Sequence, residues 1–229
     1  MNFVTWNMGN RKGAWDYLLE VIKPDFALLQ EAQVIGQRPG HVLWQAIGGN
    51  SVKYREKGRY RWGSAVWSSK HELKEVQVNT YRGWIQAAQV AQGKALTLVS
   101  MHVELDRAGR SIPNLHKMLS DLTPLLEASP QVVLGGDLNA DVVFDKRYGT
   151  RRHSIAFDRI EDLGLSHCNR LIDPGQRGTF RPDMSVMDDH LFVSRSLANR
   201  VVSCQVLGDE DVPSDHFPVW CELELALNG

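Results

Sequence analysis

Short apolar runs rich in valine, leucine and aromatic residues return along the whole chain, and many read as unbroken apolar stretches rather than as an alternation with polar residues. A strand with one wet face alternates, so unbroken runs call for cover on both faces. Such runs occupy 3–6, 26–29, 64–67, 85–90, 95–99, 131–134, 190–193, 201–206 and 218–225, and at least eight strands are expected. Between the first two, Trp15, Leu18, Leu19 and Ile22 fall at helical spacing, and Pro24 stops that helix. Leu115, Met118, Leu119, Leu122 and Leu126 share one face of a helix expected over 112–127, kinked or shortened by Pro124. A further helix is expected over 154–163. The pattern reads as an α/β fold, with helices on two sides of stacked sheets.

Length and composition set outer bounds. At 229 residues, 43% hydrophobic and 23% charged, with no stretch that reads as a linker, residues 1–229 are expected to form one domain with a sizeable core. The first residues lack a basic segment followed by an apolar run, and no window is long and apolar enough to span a bilayer, so the expectation is a cytoplasmic protein without a membrane anchor, monomeric by default. Cys168, Cys204 and Cys221 are odd in number and not closely paired, which suits small buried hydrophobes. With a net charge of −1, any binding of nucleic acid must rest on local clusters. Two exist: Lys53, Arg55, Lys57, Arg59 and Arg61, interleaved with Tyr54, Tyr60 and Trp62; and a basic loop of Lys146, Arg147, Arg151, Arg152 and His153.

Polar residues stand where the apolar runs end. Glu31 closes one such strand and needs a partner there, since a buried charge must be compensated. The run Val133-Leu134-Gly135-Gly136 leads into Asp137-Leu138-Asn139, whose two polar side chains point the same way on extended backbone, although a simple turn after a strand has the same composition. His102 follows the 95–99 strand. Asp215 and His216, being adjacent, can serve one site only from a turn, which Pro213 and Pro218 favour. Arg110 reads as a solvated arginine. Of Trp6, Trp62 and Trp84, all able to stack on a base, Trp6 reads as core.

Thr5-Trp6-Asn7, Leu29-Gln30-Glu31, Ser100-Met101-His102, Gly136-Asp137-Leu138-Asn139, Asp189-His190-Leu191-Phe192 and Ser214-Asp215-His216 together, in this order, resemble the endonuclease/exonuclease/phosphatase superfamily. That resemblance implies two mixed, mainly antiparallel sheets packed face to face between helices, the deoxyribonuclease I-like four-layer sandwich. It implies hydrolysis of phosphoester bonds with Mg2+, or Mn2+ in its place. It gives Glu31, Asp215 and Asn7 to the metal, and His216, Asp189, His102, Asp137 and Asn139 to catalysis. In it Asp189 holds the imidazole of His216, His102 donates to the phosphate, His190 packs or supports, and either Asp137 or His216 activates the water. One departure is Gly9, where some nuclease members carry an acid. The substrate expected is nucleic acid, DNA first. A small phosphorylated molecule or lipid head group is the alternative, and a catalytically silent binding domain comes last.

Overall fold

Every apolar run supplies a strand in the computed structural model of the protein, which describes residues 1–33, 39–47, 62–78, 83–91, 96–172, 178–208 and 210–226. In chain order the elements are β1 (Asn2–Asn7), α1 (Ala14–Tyr17, continued by a π-helical turn over Leu18–Ile22), β2 (Phe26–Ala32), β3 (His41–Ala46), β4 (Gly63–Ser68), β5 (Leu73–Val76), β6 (Ile85–Val90) and β7 (Leu96–His102). Then follow α2 (Ile112–Ala128), β8 (Gln131–Asp137), α3 (Val142–Tyr148), α4 (Arg152–Asp162), β9 (Leu165–His167), α5 (Cys168–Ile172), β10 (Asp189–Ser194), β11 (Val201–Val206) and β12 (Val219–Leu223). Two six-stranded sheets result, ordered β11-β12-β1-β2-β4-β3 and β5-β6-β7-β8-β10-β9. Both are mixed: β1 runs parallel to β2 and β7 parallel to β8, while the other pairings are antiparallel.

Alternate residues of each strand serve different cores, which is why the runs read as continuous. Phe3, Leu28 and Val66 of the first sheet meet Leu98, Val133 and Leu191 of the second between the sheets. Val4, Trp6 and Leu29 turn outward onto Trp15 and Leu18 of the first helix and its π turn. Val99, Leu134 and Phe192 turn outward onto Leu115, Met118, Leu119, Phe157 and Ile160 of α2 and α4. The layers are therefore helix, sheet, sheet, helix.

Three expectations are corrected. Pro124 does not shorten α2, which runs through it to Ala128. The carbonyl left without a donor belongs to Ser120, an exposed residue that water can satisfy. The loop expected around Lys146 to His153 is instead the end of α3 and the start of α4, joined through residues 149–151, with Asp141 capping α3 by accepting from the Val143 N–H at 3.0 Å. The strand before His102 runs on through that residue. The basic cluster from Lys53 to Arg61 lies outside the described residues. No helix among the described residues is long and apolar enough to cross a membrane.

Candidate active site

Parallel pairing brings strand ends of one sense together. Asn7 ends β1, Glu31 lies next to the last residue of β2, His102 ends β7 and Asp137 ends β8. The antiparallel β10 begins at this same level, with Asp189 opposite Asp137. Facing these, the turn before β12 carries Ser214, Asp215 and His216, tied to β1 by Ser214 Oγ donating to the Asn7 carbonyl at 2.7 Å and Trp6 Nε1 donating to the His216 carbonyl at 2.9 Å. The turn that adjacent Asp215 and His216 require is present.

Six of the residues singled out in the sequence, Asn7, Glu31, His102, Asp137, Asn139 and His216, line one cleft of about 140 Å³. Asn7 Nδ2 donates to Asp137 Oδ2 at 2.8 Å and reaches Glu31 Oε1 at 3.5 Å, while Asn7 Oδ1 accepts the Gly9 N–H at 2.9 Å, so this amide spans the two carboxylates. His102 Nε2 stands 3.6 Å from Asp137 Oδ2, and His216 Nε2 stands 4.0 Å from it. Behind the cleft wall, wholly buried Asp189 accepts from His216 Nδ1 at 2.7 Å. Asp215 is not among the lining residues; its Oδ1 sits 3.5 Å from Ser214 Oγ, beside Gly9.

Backbone strain marks two of these positions. Glu31 and Asn139 have φ of 46° and 48°, a left-handed conformation that non-glycine residues adopt at a cost and keep mainly where function holds them. At Glu31 the cause is an irregularity in β2–β4 pairing between Leu29 and Ala32, which re-aims the side chain. At Asn139 the chain has already left the strand: its N–H donates to Asp137 Oδ1 at 2.9 Å and its Nδ2 to the Val103 carbonyl at 2.9 Å. The two side chains thus share a cleft through a tight turn, and the extended-backbone account is corrected.

A model of the endonuclease/exonuclease/phosphatase family matches residues 4–216. The chain belongs to that family. No curated protein sequence matches it. Similar solved structures include the endonuclease domain of the telomere-specific non-LTR retrotransposon TRAS1 (21% identity, TM-score 0.71, covering 97% of each chain). An AP endonuclease from Archaeoglobus fulgidus (18%, 0.72, 98% of this chain and 100% of that one) is another. So is a 3'-5' exonuclease from Neisseria meningitidis (20%, 0.72, again 98% and 100%). These likenesses show the fold. Members of the endonuclease/exonuclease/phosphatase family hydrolyse phosphoester bonds.

In this family member the electrostatics centre on His216. Burial alone would depress its pKa, but Asp189, with Asp137 and Asp188, outweighs burial and lifts it from 6.5 to about 10. Burial likewise pushes Asp189 up, yet the His216 charge and its hydrogen bond hold that carboxyl below the usual range. A folded-state pKa above the unfolded one stabilises fully below 6.5 and is lost as pH rises through about 10. With chelator present, the melting temperature is therefore expected to fall between pH 7 and pH 10, and to fall less in His216→Gln. Equal slopes in the two proteins would count against the pairing.

Some lining residues went unread in the sequence. Val103, Glu104 and Leu105 follow His102, and the strand-end rule that found the histidine would have found Glu104, the polar one of the three. Asp188, passed over for Asp189, is pushed up to about 8 by burial, with Asp137 and Asp189 adding to it. Asp188 faces a second, larger cleft of about 580 Å³ that shares Leu105 and Asn139 with the first. Arg110, Phe144, Tyr148, Arg152 and His153 also line it. Arg110 is exposed and ion-paired with Asp106 at 2.8 Å. Trp6 is wholly buried, as expected of a core residue, whereas Trp84 lines the smaller cleft.

Proposed function

We propose that the chain is a Mg2+-dependent phosphodiesterase that cleaves nucleic acid, DNA in the first instance. The observation that carries this reading is the meeting of three carboxylates, two asparagines and two histidines in one cleft, with His216 backed by the buried Asp189. A phosphodiester repels nucleophiles, so its hydrolysis needs a placed proton acceptor, donors toward the charged oxygens and a cation. The Glu31 and Asp137 carboxylates gathered around the Asn7 amide are hard oxygen donors of the type Mg2+ and Mn2+ select. Glu31, with the Asn7 side chain beside it, would hold the ion, which would supply Lewis-acid polarisation of the phosphate; Asp215, given to the metal by the family resemblance, is not among the residues that line this cleft. Asp137, Asp189 and His216 also present ligand atoms within 4.8 Å of one another. The short Asp189–His216 hydrogen bond suits that trio better to handling a proton.

Asp137 and Asn139 orient the attacking water, and Asp137 takes its proton. His216, charged at neutral pH and fixed by Asp189, donates toward the departing oxygen, and His102 donates to the phosphate. The larger cleft accounts for the rest of the substrate, because apolar and aromatic walls with Arg110, Arg152 and His153 at hand suit a nucleoside followed by a further phosphate. The AP endonuclease and the exonuclease of the same fold, and a 3' phosphatase from Neisseria bound to a product DNA hairpin, support nucleic acid.

A second reading, hydrolysis of a small phosphorylated molecule, is favoured by the net charge of −1, which supplies no long-range attraction for a polyanion. The deciding experiment is cleavage of supercoiled plasmid, single-stranded DNA and RNA with Mg2+, Mn2+ or chelator, with His216→Ala as the measure of background. Metal-dependent nicking that weakens steeply with salt is the expected result. Intact nucleic acids throughout, alongside turnover of a small phosphate ester, would transfer the function to the second reading.

A further inference from the structure

β10 carries two neighbouring side chains that face opposite ways. Asp189 turns toward His216, while His190 turns to the outer side of the sheet and packs edge-on against Phe157 of α4, ring centroids 4.9 Å apart. His190 Nε2 lies 2.8 Å from the Ala140 carbonyl oxygen, and His190 Nδ1 lies 3.0 Å from Nε2 of His167, the last residue of β9. A carbonyl can only accept, so His190 keeps its proton on Nε2 and offers Nδ1 as an acceptor. His167 must then donate from Nε2, which leaves its own Nδ1 bare; that atom is buried with no hydrogen-bond partner among the described residues. Both rings are buried, and burial presses both pKa values down, consistent with neutral imidazoles.

The carbonyl at the end of this chain of bonds is not incidental. Ala140 follows Asn139, whose left-handed backbone must be held from both sides. On one side the Asn139 N–H bonds Asp137, and the Asn139 carbonyl accepts from Ser111 Oγ at 2.6 Å. On the other side the Ala140 carbonyl is taken by His190.

We propose that the His167–His190 pair is a positioning device, which pins the Ala140 carbonyl and so holds Asn139 in the conformation that presents it to the cleft. Its catalytic consequence rests on the reading of Asn139 as a residue that orients the attacking water. The Asp189-His190 dipeptide then sets both sides of the reaction from one strand, Asp189 through the imidazole of His216 and His190 through the loop that bears Asn139.

The test has a spectroscopic and a kinetic arm. Ring nitrogen NMR of the wild type should show both histidines as Nε2–H tautomers, and the Asn139 side-chain amide should be protected from exchange. His190→Gln, which can donate to Ala140 and accept from His167, should keep that protection and keep kcat on a duplex oligonucleotide within about 3-fold, whereas His190→Leu should lose both, with kcat falling roughly 10–100-fold at unchanged KM. His167→Phe leaves the Ala140 bond in place but frees the tautomer of His190, and should fall between the two, which keeps the test decisive if His190→Leu does not fold. An Nδ1–H tautomer at His190, or a folded His190→Leu with a protected Asn139 amide and the kcat of His190→Gln, would overturn the proposal. An inert wild type would sink the nuclease reading alone, because the amide and ring spectra would still decide whether the pair holds the loop.

Discussion

Asparagine in place of Asp189 is expected to lower kcat roughly 10³–10⁴-fold with little change in KM, a loss of the size seen when a hydrolase triad loses its acid. The wild-type carboxylate is wholly buried and accepts from His216 Nδ1 at 2.7 Å, which orients the ring and points Nε2 into the cleft. The amide is nearly the same shape, so packing survives, but it removes the negative charge that most raises the His216 pKa and can face the ring with a donor. Two measurements follow from one cause: turnover collapses, and the fall of stability above neutral pH flattens. A folded Asp189→Asn that retains more than a tenth of wild-type kcat would remove Asp189 from the proposed mechanism.

Alanine at Gly136 is expected to destabilise the fold by about 3 kcal/mol or more, as overpacking against main chain does. A Cβ placed there would come within 1.8 Å of the Met101 carbonyl oxygen, and backbone of a central strand cannot give way as a flexible side chain can. For a chain of this length the melting temperature should drop by about 6–12 °C. Gly149→Ala is the matched control: its φ is 63°, but a Cβ there meets nothing within 4 Å, so only the strain of the left-handed conformation is added. Equal losses at the two positions would show that space around Gly136 is not what excludes a side chain.

Most of the strands that can be read from the sequence are those of the sheet interiors, because both faces of β1, β2, β7 and β8 are covered and their residues are nearly all buried; of the edge strands only β11, with its three valines, is read as well. β3, β5 and β9 escape such a reading. All three stand at sheet edges; β3 and β5 carry exposed or half-buried residues such as His41, Lys74 and Glu75, and β9 is only three residues long. Among the site residues, those at strand ends are legible because a polar side chain after an apolar run is conspicuous. The left-handed turns at Glu31 and Asn139 are not, since neither is a glycine and their conformation is imposed by contacts with distant parts of the chain. The larger cleft is illegible for a related reason: Arg110, Phe144, Arg152 and Asp188 come from four separate stretches that only the packing of α2, α3 and α4 beside β10 brings together.

The pairing of β1 with β12, and the bonds from Trp6 to His216 and from Ser214 to Asn7, place opposite ends of the sequence side by side at the reactive centre. During synthesis, then, the first strand has β2 beside it early but waits for its other neighbour, β12, until more than two hundred further residues have been made, as the 210-residue separation of Trp6 and His216 requires. A chain that stops between residues 137 and 216 carries Asn7, Glu31 and Asp137 but lacks the imidazole that faces them. The candidate site is thus completed only when this contact between residues far apart in sequence closes, a slow class of folding step because the entropy of closing a long loop is lost before such a contact offsets it.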